Sequence, residues 1–364
     1  MEQNKPKNKM KNSLKLSTKV WTLTALLFMG LSTLAWAEKV AIIDAGSSGS
    51  RLFVYEVTTT GEQDLRLVYP LTKEQQKLSK GRALSTLANH PDSVRIFVEN
   101  MTANYCSDST RLYILATAGM RLKPKAHADA IYQKLEALPL INGYYVKGAM
   151  TITGQYEGLY GWLAANYQNG RIGFTTTTTG TQFTLTGTPC GILEIGGASM
   201  QIAFTTDHTS HECLTRPGIG NLYSKSYLGA GADQMYQKSP RKGNSYKLQL
   251  DLDDVSRWYG KDSQFWGLSH PLNNVLNGMN EYPEKRTVKG RMNAYIRSLD
   301  QFTDTPQNYH PRFNSHYIKW LLKEMHLTNR LIQSDKDASW TIGAALDIVI
   351  NGEEPAEFDH ANIR

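Results

Sequence analysis

Apolar positions run from Val40 to Ile43 and resume at Leu52, and the stretch between them, Asp44 to Ser50, is one carboxylate followed only by alanine, glycine and serine. Two apolar runs around a small-residue gap predict a strand, a tight turn and a second strand. The pattern recurs in GILEIGGASMQIAF, where Glu194-Ile195-Gly196-Gly197-Ala198 repeats the offsets of Asp44-Ala45-Gly46-Ser47-Ser48. Further strand-like runs are RLYILATAG, GILEIGG and QIAFTT, and the threonine-rich stretch Phe174 to Gly187 reads as a β-hairpin because threonine is a β-branched strand former. Helical spacing marks ADAIYQKLEAL, HYIKWLLKEMHL and EGLYGWLAANY, the last with Leu159, Trp162, Leu163 and Asn166 on one face. Strands that alternate with helices predict an α/β architecture. Residues 238–312 are polar, with scattered helix candidates that the pattern does not order.

Composition adds little except at the N-terminus. The chain has 364 residues, 40% hydrophobic and 20% charged, which suits two globular domains. The net charge of +7 is uneven: residues 1–37 hold six lysines and one glutamate, leaving only +2 for the rest, so charge gives no support to a nucleic-acid partner. A lysine-rich start, an apolar run from Val20 to Leu34 and the small residues Ala35-Trp36-Ala37 read as a signal peptide cleaved after Ala37. The run is short and interrupted by threonines, which disfavours a membrane anchor. Three cysteines, Cys106, Cys190 and Cys213, are too few for a disulfide scaffold, and a Cys190–Cys213 bridge is left open.

The repeated turn has its own chemistry. Without bulky side chains, backbone N–H groups can close around an anion, and serine hydroxyls add to the cradle. A carboxylate at the end of the incoming strand repels phosphate unless a divalent cation with water in its shell lies between them. Glycine-rich strand turns are also ordinary tight hairpins, so it is the repeated acid and the repeated spacing that point to a polyphosphate with its metal. A third strand ends in Ala116-Thr117-Ala118-Gly119, with Arg121 nearby. Glu157 is the one carboxylate of ITGQYEGLYGWLAANY and falls in the first helical turn. It either supports the helix through its dipole or orients a water for in-line attack.

AIIDAGSSGSRLFVYEV, LATAGMRL, TGQYEGLYGWLAANY, GILEIGGASMQIAF and SWTIGAAL resemble, in order, the five apyrase-conserved regions of the ectonucleoside triphosphate diphosphohydrolase family, and the likeness extends over the chain after residue 38. The resemblance implies an actin-like two-lobe fold, each lobe a ribonuclease H-like mixed sheet with flanking helices and the site in the cleft between them. Glu157 falls on the family's water-activating base, and Ser199 and Gln201 on residues that hold the water and the terminal phosphate. Asp44 and Glu194 fall on the acids that bind the divalent ion, Mg2+ or Ca2+, mostly through water. Ser47, Ser48, Gly49, Ser50, Thr117, Ala118, Gly197 and Ala198 fall on the phosphate-cradling turns. Asn273 and Tyr317 lie in segments that resemble base-contacting parts of bacterial relatives, and Trp340 matches a tryptophan of the last region, read as packing. The family usually has Asp where this chain has Glu194, a departure that bears on metal preference and turnover rate rather than on the reaction class.

The expectation is therefore a secreted or periplasmic bacterial hydrolase that releases terminal phosphate from nucleoside triphosphates, with diphosphates left open as substrates, without a phosphoenzyme. It is expected to act as a monomer with a nucleotide substrate, no nucleic-acid partner and no anchor after cleavage. Its lobes are placed at residues 38–162 with 338–364, and at 163–337. An exopolyphosphatase-like enzyme and a non-catalytic nucleotide-binding protein remain as alternatives.

Overall fold

A computed structural model describes residues 37–359 apart from 59–63, 88, 106–109, 139, 178–179, 239–251, 253–254, 261–262, 300–309, 334–337 and 353–354. The leader up to its last residue and Cys106 lie outside the described residues. The first half runs β1 (Ala37–Ala45), β2 (Ser50–Thr58), β3 (Asp64–Tyr69), α1 (Lys73–Leu78), β4 (Lys80–Gly81), α2 (Val94–Thr102), β5 (Thr110–Ala116), α3 (Ala118–Arg121), α4 (Lys125–Glu136), β6 (Leu140–Ile141) and β7 (Tyr144–Thr151). Its strands form one mixed sheet in the order β3-β2-β1-β5-β7-β6, with β4 beside β2. Helix α5 (Gly154–Gln168) and the hairpin of β8 (Ile172–Thr177) and β9 (Gly180–Leu185) follow.

The second half runs β10 (Gly191–Ile195), β11 (Ser199–Thr205), β12 (Cys213–Arg216), β13 (Gly220–Leu228), α6 (Ala232–Lys238), β14 (Phe265–Leu268), α7 (His270–Asn280), α8 (Val288–Ser298), α9 (Pro311–Glu324), β15 (Leu331–Gln333) and α10 (Trp340–Ile350). Its sheet has the order β12-β13-β11-β10-β14-β15. The sequence repeat is thus a structural repeat. Asp44 pairs with Arg51 on the antiparallel side and Leu115 on the parallel side, and Glu194 pairs in the same way with Gln201 and Leu268. Two mixed sheets built on one hairpin design make the actin-like two-lobe architecture.

The period-two alternation of the strands sorts the core into three layers. Val40 and Ile42 of β1 and Ile192 of β10 face a central cluster, whereas Ala41, Ile43 and Leu193 face outer clusters. In that central layer α5 lies on β10, β11 and β13, α10 lies on β1 and β2, and the two helices pack on each other. Helix α5 is consequently buried almost all round, not on the single face that its apolar spacing suggests. Asn166 is part of this packing: its amide donates to the carbonyl of Cys190 and its Oδ1 accepts from the Cys190 N–H, both at 2.9 Å. The sequence-based lobe boundary at 162/163 falls inside α5.

Helices α4 and α9 and the threonine-rich hairpin form where the sequence pattern places them. Strand β14, only four residues long, and helices α7 and α8 come from the stretch that the pattern left unordered. Cys190 and Cys213 are free thiols, so the bridge left open by the sequence is not made. Among the described residues no helix is long and apolar enough to cross a membrane.

Candidate functional site

Alternation places Asp44 on the same face of its sheet as Val40 and Ile42, and Glu194 on the same face as Ile192, so both acids look into the central layer. The turns that follow them face each other: a Cβ added at Gly197 would stand 3.0 Å from the Ser47 hydroxyl. Gly119 is equally constrained, because its Cβ would come within 2.6 Å of the Ser47 Cα. The first turn is tied to the next strand end by the Thr117 N–H, which donates to the Ala45 carbonyl at 3.3 Å. The second is tied at three points, with Ala232 donating to Gly196 (2.8 Å), Asp233 to Gly197 (3.1 Å) and Gly229 to Ala198 (2.8 Å). Ser48 is exposed and Ser47 and Gly49 half-buried, whereas Ser50 is buried with its Oγ unpartnered.

Glu157 sits over this cleft in the first turn of α5, whose N-cap Thr153 accepts from the Tyr156 N–H. Its Oε2 is held by an ion pair with Arg121 and by the Gln201 amide at 3.0 Å. The same amide nitrogen lies 2.6 Å from the Ser199 hydroxyl and 3.2 Å from that of Ser226. Glu157, Arg121, Ser199 and Gln201 are all buried. The sheet register explains the convergence. Gln201 is the direct partner of Glu194 on one side and of Ser226 on the other, so the three form one row beneath α5.

Three glycines let α5 come down onto that row. Cβ atoms at Gly154 and Gly158 would clash with the side chains of Ser226 and Ser224, and one at Gly161 would stand 3.1 Å from Ile192 and 3.3 Å from the Oε2 of Glu194. Positions 154, 158 and 161 share one helical face. Their lack of side chains brings Glu157 within hydrogen-bond reach of a strand residue.

Withdrawal from water dominates the electrostatics. It pushes the Asp44 carboxyl up to about 7, against the opposing charge of Arg51 and the hydrogen bond from the Trp340 indole, and the Glu157 charge pushes the same way as burial. It pushes Glu194 up to about 8, reinforced by Glu157 and Asp44 and opposed by Arg121. Glu157 is also raised by burial, with the Arg121 guanidinium pulling it back. Three mutually repelling carboxyls, opposed only by the Arg51 and Arg121 guanidiniums, are short of positive charge. The Oε2 of Glu194 is buried without a hydrogen-bond partner. An all-oxygen donor set with an orphaned carboxylate oxygen fits a hard divalent cation.

The structure thus brings together Asp44, Ser47, Thr117, Glu157, Glu194, Gly197, Ser199 and Gln201. Trp340 does more than pack: it stacks on Tyr160 at 6.3 Å and hydrogen-bonds Asp44. Tyr317 is corrected. It is fully buried in the outer core of the second sheet, between Phe313 and Trp320, and its hydroxyl donates to the Ala230 carbonyl at 2.6 Å, so it has no ring face open to a base. Asn273 is half-buried in the first turns of α7 with its Oδ1 unpartnered. Sequence reasoning noted Arg121 only as a neighbour of Thr117, and it missed Ser226, whose signal is visible only once β13 is paired with β11.

Residues 37–255 match the GDA1/CD39 (nucleoside phosphatase) family. The nucleoside-diphosphatase mig-23 of Caenorhabditis briggsae is 34% identical over 181 residues, covering 45% of this chain and 32% of that protein. The ectonucleoside triphosphate diphosphohydrolase 1 of Bos taurus is 30% identical over 223 residues, covering 56% and 42%. The chain thus spans less than half the length of these relatives. A crystal structure of nucleoside triphosphate hydrolases from Neospora caninum superposes with a TM-score of 0.61 at 13% identity, over 93% of this chain and 97% of that one, a likeness of fold.

Proposed function

This chain belongs to the GDA1/CD39 (nucleoside phosphatase) family, and we propose that it hydrolyses nucleoside triphosphates and diphosphates by direct attack of water on the terminal phosphorus. The observation that carries the reading is the buried Glu157 carboxylate, hydrogen-bonded to Gln201 and set beside two facing small-residue turns. Both relatives named above are nucleoside phosphate hydrolases, one of diphosphates and one of triphosphates.

The roles divide by position. The turns at 46–49 and 196–198, with Thr117 and Ala118 beside them, supply backbone N–H groups and hydroxyls to the phosphate chain. Ser199 and Gln201 orient the water. Glu157, with Oε2 engaged by Arg121 and Gln201, takes the water's proton on Oε1. As the new phosphorus–oxygen bond forms, the bridging phosphorus–oxygen bond breaks, and inorganic phosphate leaves with the nucleotide one phosphate shorter. No covalent intermediate is needed. Asp44 and Glu194 would hold a divalent cation, Mg2+ or Ca2+, which when bound neutralises charge on the phosphates. The extra methylene of Glu194 compared with the usual Asp bears on which cation is preferred. The lysine-rich, apolar start of residues 1–37 supports reading it as an export signal, and on that reading the activity acts outside the cytoplasm.

Phosphate release from ATP, ADP and inorganic polyphosphate, with Mg2+, Ca2+ or chelator, tests the reading. Metal-dependent release from the nucleotides supports it. Release from polyphosphate alone, or none despite nucleotide binding, overturns it.

A further inference from the structure

Ser226 is a hydroxyl on β13 opposite Gln201 in the sheet register. Its Oγ lies 3.2 Å from Nη1 of Arg121 and 3.2 Å from Nε2 of Gln201. Those two nitrogen donors belong to the two side chains that hold the Oε2 of Glu157. Arg121 has few other anchors, and the Gln201 amide is shared among several acceptors. Arg121 is buried with its Nε unpartnered, so besides Glu157 the serine oxygen is its one side-chain anchor among the described residues. The Gln201 amide carries two protons but has three acceptors within reach, Glu157, Ser199 and Ser226, so its orientation depends on which of them it serves. Gly154 lies directly over Ser226, where a Cβ would collide with the hydroxyl, and α5 therefore seals this contact from above.

We propose that Ser226 is a positioning residue of the hydrolytic reaction: by accepting from both Arg121 and Gln201 it sets the pair of donors that aim the Glu157 carboxylate. Ser226 touches neither the water nor the phosphate. Its effect reaches the reaction through Gln201 and Arg121, and the proposal rests on the hydrolase reading given above. Networks of this kind are worth more than their single bonds, and only a double-mutant cycle apportions them.

The test is a cycle of Ser226→Ala and Gln201→Ala in the full chain, with kcat and KM for ATP and the Kd of a non-hydrolysable ATP analogue. Loss of an acceptor for a charged donor predicts a kcat lower by roughly 10- to 100-fold for Ser226→Ala, with Kd unchanged. In the Gln201→Ala background the same change is expected to cost clearly less than in the wild type, because one of the two residues it acts through is gone and only the Arg121 contact remains. Equal losses in both backgrounds, or a raised Kd with kcat intact, would overturn the proposal. If Ser226→Ala does not fold, Ser226→Cys keeps the volume and a weak acceptor; a folded Ser226→Cys with wild-type kcat overturns the proposal, and an intermediate kcat that is non-additive with Gln201→Ala supports it. Wild-type protein that releases no phosphate from any nucleotide defeats the hydrolase reading itself, a result separate from the outcome of the cycle.

Discussion

The amide of Gln201 donates to the carboxylate of Glu157 at 3.0 Å, joining the middle of a sheet to the first turn of a helix 44 residues earlier in the chain. The contact exists because Gln201 stands in a row between Glu194 and Ser226 and because α5 presents glycines to that row. Glu194, Gln201 and Glu157, proposed above as metal-site acid, water-orienting amide and general base, are thereby fixed to one another by strand register and helix packing.

The Arg121–Glu157 ion pair is buried on both sides, so it serves position more than stability. Arg121→Met is expected to leave an uncompensated carboxylate and to cost about 3–5 kcal/mol, the usual consequence of breaking such a pair. Arg121 holds the Glu157 carboxyl down against its burial, so its loss raises that group further. A base with a higher pKa loses its proton only at higher pH, and the acid limb of the kcat profile should move up. Chemical denaturation and a pH–rate profile of the variant check both statements.

Asp44 and Glu194 give the metal-free protein an unusual dependence on pH. Both carboxyls are raised, to about 7 and about 8, above their values in the unfolded chain, so the folded state binds more protons than the unfolded state between about pH 4 and 8. Stability is then fully present below pH 4 for these two groups and is lost as pH rises through 7 and 8. Thermal unfolding in chelator should show a Tm that falls across pH 5–8, and Mg2+ or Ca2+ should restore it. Asp44→Asn with Glu194→Gln should flatten the dependence.

Much of the site was legible in the sequence because its parts are local. An acid at the end of an alternating strand, followed by small residues, is a short-range pattern, and the copy at Glu194 repeats that at Asp44. Glu157 was legible as an acid in a first helical turn. Contacts between distant segments were not. The periodicity of α5 shows an apolar stripe, but Gly154, Gly158 and Gly161 carry no hydropathy signal, so a helix buried on all sides read as amphipathic. In the sequence, Tyr317 is tied to base contact only through resemblance to relatives, and nothing in its own helix reveals that its hydroxyl donates to the Ala230 carbonyl in the core. The partnership of Arg121, Gln201 and Ser226 depends on which strand pairs with which.

The glycine seam makes a separable prediction. Gly158→Ala places a methyl against the Ser224 hydroxyl and lifts the turn that carries Glu157, so it is expected to cost about 1–3 kcal/mol in stability and to lower kcat. Gly173→Ala on β8 makes only an ordinary contact, 3.6 Å from Thr186, and is expected to leave both unchanged. Unfolding curves and turnover of the two variants side by side check this.

The most direct measurement of the central claim is phosphate release from ATP by the wild type and by Glu157→Gln at saturating Mg2+ or Ca2+, with binding of a non-hydrolysable ATP analogue measured on both. Removal of a positioned base predicts turnover lower by about 10²- to 10⁴-fold with analogue binding retained. Near-normal turnover in Glu157→Gln, with the variant folded and binding nucleotide, would contradict the assignment of Glu157 as the base.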